Sequence, residues 1–117
     1  MKEIKAYVRI NMLDKVIHGL EAAGFTDMTV LDVRALRRGV PDVDLEYSVE
    51  LVARYMNVAK LEIVVRDQDV AVATRIICEH ARTGTKGDGL VYVSAVEQAI
   101  HIRSGASGEA AVEYLEG

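Results

Sequence analysis

The stretch Ile4-Lys5-Ala6-Tyr7-Val8-Arg9-Ile10 decides how the chain is read. Ile4, Ala6, Val8 and Ile10 alternate with Lys5, Tyr7 and Arg9, and a period of two is that of a strand with one buried face. Asn11 then supplies an N-cap, Asp14 places an acid in the first helical turn, and Leu13, Val16, Ile17 and Leu20 fall at helical spacing. Gly24 closes this helix as a C-terminal cap. A second β-rich run extends from Met28 to Leu36, containing Thr29, Val30, Leu31 and Val33.

The same plan returns 57 residues later, Val8-Arg9 falling on Val65-Arg66, Leu13 on Val70, Val16 on Ala73 and Leu20 on Ile77. Leu61 to Val65 is strand-like, Asp67 and Asp69 are helix-start acids, and Val70, Ala73, Ile76 and Ile77 form an apolar stripe. Gly84 follows that helix, and Leu90 to Val96 is again β-rich. This pattern predicts a duplicated strand–helix–strand unit. Two such units, each with a right-handed crossover, interleave into a four-stranded antiparallel sheet with both helices on one face. The expected fold class is therefore α+β, a double βαβ sandwich. The second sheet face reads as apolar, and in so short a chain another subunit is its natural cover.

At 117 residues the chain is expected to form one domain, 1–117. Half of its residues are apolar but only 5% are aromatic, so the core is built from aliphatic side chains. A net charge of −4 argues against a nucleic-acid binder, which needs a basic face. The charged start Met1-Lys2-Glu3-Ile4-Lys5 does not read as a signal peptide, and no apolar run reaches the roughly 20 residues that span a bilayer. A soluble, cytoplasmic protein is expected. Cys78, the single cysteine, reads as an inert buried thiol among Ile76 and Ile77. His18, His80 and His101 lack paired ligand spacing, so no metal site is expected. No side chain stands in the setting of an activated nucleophile or a poised carboxylate pair, and the chain is not read as an enzyme.

Three segments stand apart from the repeat. Arg37-Arg38-Gly39-Val40-Pro41-Asp42 is a turn-rich start to a long connection. Beyond it Leu45, Tyr47, Val49 and Leu51 alternate as in an extended arm, while Leu45, Val49, Val52 and Met56 match a helical stripe, and periodicity does not decide between them. Loops of this length tend to be functional. Residues 83–89, Thr-Gly-Thr-Lys-Gly-Asp-Gly, allow backbone N–H groups to converge on an anion, with Lys86 adding charge and Asp88 orienting the loop or a ribose hydroxyl. The other reading is an ordinary turn. In the third segment, at the start of the C-terminal stretch 98–117, His101 and Arg103 fall on one face of a strand, able to hold a phosphate or simply solvated.

Together these residues resemble the PII family of signal-transduction proteins. The likeness is carried by Met1-Lys2-Glu3-Ile4, the Gly24-to-Val30 run, Leu61-Glu62-Ile63-Val64-Val65, and Thr83-Gly84 with Gly87-Asp88-Gly89. It continues through Val96-Glu97-Gln98 and Ile102-Arg103-Ser104-Gly105, covering about residues 1–110. The resemblance implies a ferredoxin-like homotrimer that binds adenine nucleotides in clefts between subunits. Gly87, Asp88 and Gly89 would cradle phosphates, Arg38, His101 and Arg103 would meet them, and Thr29 and Val64 would lie near the base. Residues 37–56 would form an effector loop that engages a membrane transporter or an enzyme. 2-Oxoglutarate or another small anion is a further effector of this template.

Several family positions differ. Leu90 and Val58 replace basic residues, His101 replaces an arginine, and Gly39 replaces a glutamine. Leu51 stands where many members carry a modified tyrosine, and Tyr47 where they carry a pore-blocking arginine. Each charge-assisted hydrogen bond contributes about 1.5–3 kcal/mol, so the missing cations point to ADP, AMP or a cyclic nucleotide rather than ATP. The other reading is a trimeric scaffold or metal-tolerance-type protein that has lost nucleotide binding.

Overall fold

The computed structural model describes residues 1–35 and 58–112. The expected arm at 37–56, Arg38 and the end of the 98–117 segment lie outside the described residues. Strand β1 (Lys2–Arg9), helix α1 (Leu13–Ala22) and strand β2 (Thr29–Val33) form the first unit. Strand β3 (Val58–Val65), helix α2 (Val70–Ala81) and strand β4 (Gly89–Ala95) form the second. The sheet order is β2-β3-β1-β4, and every neighbouring pair is antiparallel. This is the expected ferredoxin-like double βαβ topology.

The alternation read from the sequence sets the two faces. Ile4 lies opposite Ile63 and Ala6 opposite Leu61 on the helix-covered face, where Ile4, Ala6, Val8, Leu61, Ile63 and Val65 are all buried. Val16 and Leu20 of α1 and Ala73, Ile77 and Ala81 of α2 close over them. The duplication extends to detail: 3₁₀ turns at Ile10–Met12 and Asp67–Asp69 precede the two helices. Both the turns and the helix starts are 57 residues apart. Asn11 is therefore not the N-cap expected of it. It sits inside the first 3₁₀ turn, Arg9 is the extended residue before that turn, and no side chain caps it. Gly24 does act as expected. With φ at +95°, its N–H donates to the Glu21 carbonyl at 3.0 Å and the next N–H, of Phe25, reaches the Leu20 carbonyl at 3.0 Å. This pair of bonds is a Schellman motif, and buried Phe25 joins Leu20 in the core.

Two further expectations need correction. Cys78 is exposed, because the buried stripe of α2 runs through Ala73, Ile77 and Ala81 and the position after Ile77 points about 100° away from it. The open sheet face is not uniformly apolar. Its central strands carry Lys60–Glu62 and Lys5–Glu3 ion pairs at 3.0 and 3.4 Å. The Lys60 ammonium lies 5.7 Å from the Tyr7 ring centre, and the Glu62 carboxylate beside it raises its pKa. Apolar side chains are exposed on the flanking strands at Leu31, Leu90 and Tyr92. Tyr92 meets Tyr7 edge-on, ring centres 5.9 Å apart.

Because Leu20 and Ile77 occupy equivalent fully buried places, Leu20→Ala and Ile77→Ala should each cost about 2–5 kcal/mol. Cys78→Ser should stay within about 0.5 kcal/mol of the parent. Urea denaturation at fixed protein concentration checks all three.

Candidate functional site

The site is built where β4 begins. Gly89 lies opposite Val8 of β1 with φ at +113°, and a Cβ there would stand 1.7 Å from the Tyr7 carbonyl oxygen. Only glycine lets the chain come this close to the central strand. The connection that arrives there is longer than its counterpart in the first unit. Thr29 of β2 faces Glu62 and Tyr92 of β4 faces Lys5, an offset of 63 where the preceding elements keep 57, so the second connection has six extra residues. Its distinctive content is the glycine-rich segment 83–89.

That segment is ordered from within by Asp88. Its carboxylate accepts the N–H groups of Thr83 and Gly84, both at 2.9 Å, the Thr83 hydroxyl, and Nε of Arg9 at 3.2 Å. The Thr83 hydroxyl, the Thr83 N–H, the Gly84 N–H and the guanidinium together hold the Asp88 carboxyl well below the usual carboxylate range. Nη2 of Arg9 donates to the Thr85 hydroxyl at 3.0 Å and to the Lys86 carbonyl at 2.6 Å. The Thr85 and Thr83 hydroxyls are 2.7 Å apart, and since Thr83 donates to Asp88, Thr85 donates to Thr83. Arg9, Thr85, Thr83 and Asp88 thus close a ring of hydrogen bonds. Of the two roles expected for Asp88, orienting the loop is the one its side chain performs in this structure. Arg9 is the residue that sequence reading missed. It entered only through the β1 alternation and the match to Arg66 in the repeat, and its contact spans 79 residues.

The expected binding residues fall into separate groups. Thr29 and Val64 line a cleft of about 290 Å³ with Glu3, Asp27, Glu62 and Ile100. Gly87 and Gly89 line another of about 490 Å³ with Lys86, Val58, Leu90 and Tyr92. The two clefts share no lining residue, and β2 and β4 are opposite edges of the sheet. His101 and Arg103 are not on a strand as expected. Residues 102–104 form a turn, closed by His101 N–H to the Ala106 carbonyl and Gly105 N–H to the His101 carbonyl, each 2.8 Å. Gly105, at φ +72°, reverses the chain there, which removes the period of two. The Ser104 hydroxyl lies 3.2 Å from His101 Nδ1, and Arg103 is exposed. Among the described residues no cluster of His, Cys, Asp or Glu could hold a metal ion, and no helix is long and apolar enough to cross a membrane.

The family model described as nitrogen regulatory protein P-II matches residues 1–106. The chain is 39% identical over 116 residues to nitrogen regulatory protein P-II 2 of Methanothermobacter thermautotrophicus, covering 96% of this chain and 97% of that one. It is 37% identical over 112 residues to nitrogen regulatory protein P-II of Rhodobacter capsulatus and 38% identical over 112 residues to that of Pasteurella multocida. In both cases 96% of this chain and all of the relative are covered. Fold and sequence together define a signal-transducing regulator and not an enzyme. The chain belongs to the P-II nitrogen regulatory protein family.

The lowered Asp88 pKa fixes the sign of a pH effect. Its stabilisation is fully present above the ordinary carboxylate value of about 3.9 and is lost as pH falls toward the lower folded value. Asp88→Asn should therefore melt below the parent at neutral pH, with the gap closing as pH drops below about 4. A gap independent of pH in thermal melts would contradict this assignment.

Proposed function

We propose that the protein is a cytoplasmic homotrimeric sensor that binds an adenine nucleotide between subunits. It controls a membrane transporter or an enzyme through residues 37–56. The observation that carries this reading is the division of the expected contact residues between two clefts that share no lining residue, with Thr29 on edge strand β2 and Gly89 on the opposite edge strand β4. One copy holds Thr29 and Val64 in the cleft beside β2 and Gly87 and Gly89 in the cleft beside β4. A second copy that brings its glycine loop to the first copy's β2 edge completes a site that neither has alone. The open sheet face, with Leu31, Leu90 and Tyr92 exposed, is the surface available for that association. Thr29 and Val64 would then lie at the base. The backbone at Gly87, Asp88 and Gly89 would lie at the phosphates, with Arg38, His101 and Arg103 as neighbouring cations.

The phosphate end favours a short polyphosphate. Val58 and Leu90 give the larger cleft apolar walls, and among the described residues Lys86 is the one cation that lines it. ADP, AMP or a cyclic nucleotide needs fewer compensating charges than ATP, and 2-oxoglutarate or another small anion is a second effector to screen. In isothermal titration calorimetry ATP should bind no more tightly than ADP, and sedimentation should give three copies per particle. ATP binding more than tenfold tighter than ADP would overturn the preference. Binding of none of these nucleotides would return the protein to the scaffold reading.

A further inference from the structure

Two arginines occupy matching places in the duplicated units. Arg9 ends β1 and Arg66 follows β3, 57 residues later. Each stands where a central strand finishes beside the start of an edge strand, β4 for Arg9 and β2 for Arg66. Arg66 turns to its own helix start, Nε lying 3.1 Å from Oδ2 of Asp69. The residue three positions beyond Arg9 is Met12, which offers no carboxylate. Arg9 crosses instead to Asp88, Thr85 and Lys86 in the connection that is six residues longer. The same side chain at the same backbone place has thus been turned to the segment that distinguishes the second unit from the first.

The chemistry of these contacts points to a purpose. A carbonyl oxygen facing the cleft would repel an anion. Nη2 of Arg9 holds the Lys86 carbonyl at 2.6 Å, turning it toward β1 and offsetting its partial charge. The planar guanidinium makes three bonds in a fixed fork, which an ammonium group cannot reproduce. It ties residues 85, 86 and 88 to the end of a central strand that is paired on both sides. Arg9 does not itself line that cleft, whereas Lys86 and Gly87 do.

We propose that Arg9 is a positioning residue for the anionic end of the ligand. It presents Lys86 and the glycine-loop backbone in binding geometry without touching the ligand. The proposal rests on the nucleotide reading above, and its test separates the two. Calorimetry compares adenosine with ADP on the full chain for the parent, Arg9→Met and Arg9→Lys. Arg9→Met should weaken ADP at least tenfold and leave adenosine within twofold, and Arg9→Lys should not restore ADP binding, because the fork and not the charge is required. Thr85→Val, which cuts the Arg9–Thr85–Thr83 link without altering β1, should shift the ADP-to-adenosine ratio in the same direction by a smaller factor. Amide hydrogen exchange on ligand-free protein should rise at Thr83–Gly87 in Arg9→Met and stay unchanged in β1 and β3. Equal weakening of adenosine and ADP, or full rescue by Arg9→Lys, would overturn the positioning role. If the parent binds neither ligand the nucleotide reading fails. The exchange data then decide alone, and unchanged protection of the loop in Arg9→Met refutes the proposal.

Discussion

The antiparallel pairing of β1 with β3 is the constraint from which the other features follow. Eight residue pairs, from Lys2 with Val65 to Arg9 with Val58, run along the middle of the sheet. A slip of one residue would bring the charged side chains at Lys5 and Glu62 to the helix face. With the register fixed, Ile4, Ala6, Leu61 and Ile63 form one apolar floor, and each central strand leads through a 3₁₀ turn into its helix. The same register brings Arg9 to the place where the glycine-rich connection enters β4. The Asp88 ring is therefore a consequence of strand pairing as much as of loop sequence.

Most of this architecture is legible in the sequence alone, because alternation and helical spacing are local and the repeat at 57 residues reinforces them. Where reading failed, either a local turn or a packing neighbour distant in sequence decided the outcome. Asn11 is a good capping residue type, but β1 runs straight into a 3₁₀ turn and leaves it no cap position to fill. Cys78 follows two isoleucines, and only the placement of α2 over the sheet shows that it faces outward. The open face read as apolar, and its edge strands do expose Leu31, Leu90 and Tyr92, yet the strands between them carry the Lys–Glu pairs.

The site was legible in its residue types and not in their connections. Glycines at 84, 87 and 89 announced an unusual backbone, and their positive φ angles bear that out. What orders that backbone could not be read from sequence, because the Arg9–Asp88 bond joins residues 79 apart through a strand neighbour rather than a pattern. His101 and Arg103 alternated plausibly, but Gly105 closes a turn there through bonds to the backbone of His101 and Ala106. The separation of Thr29 from Gly89 follows from sheet order, which places β2 and β4 at opposite edges, and that of Val64 from the glycine loop follows from its place at the far end of β3 from Val58.

That order has one more consequence, for the chain as it is made. In the sequence β2-β3-β1-β4 no strand lies beside its partner from the same unit. The first thirty-five residues contain two strands that pair with nothing in their own half, and the same is true of β3 and β4. Neither half is a smaller version of the fold, although each repeats the other. The strand synthesised first waits for both of its neighbours, the second of which is the last of the described strands to emerge. Until then its buried face and both its edges are open to wrong partners. Internal repetition here yields a structure that is complete or absent, with no stable half along the way.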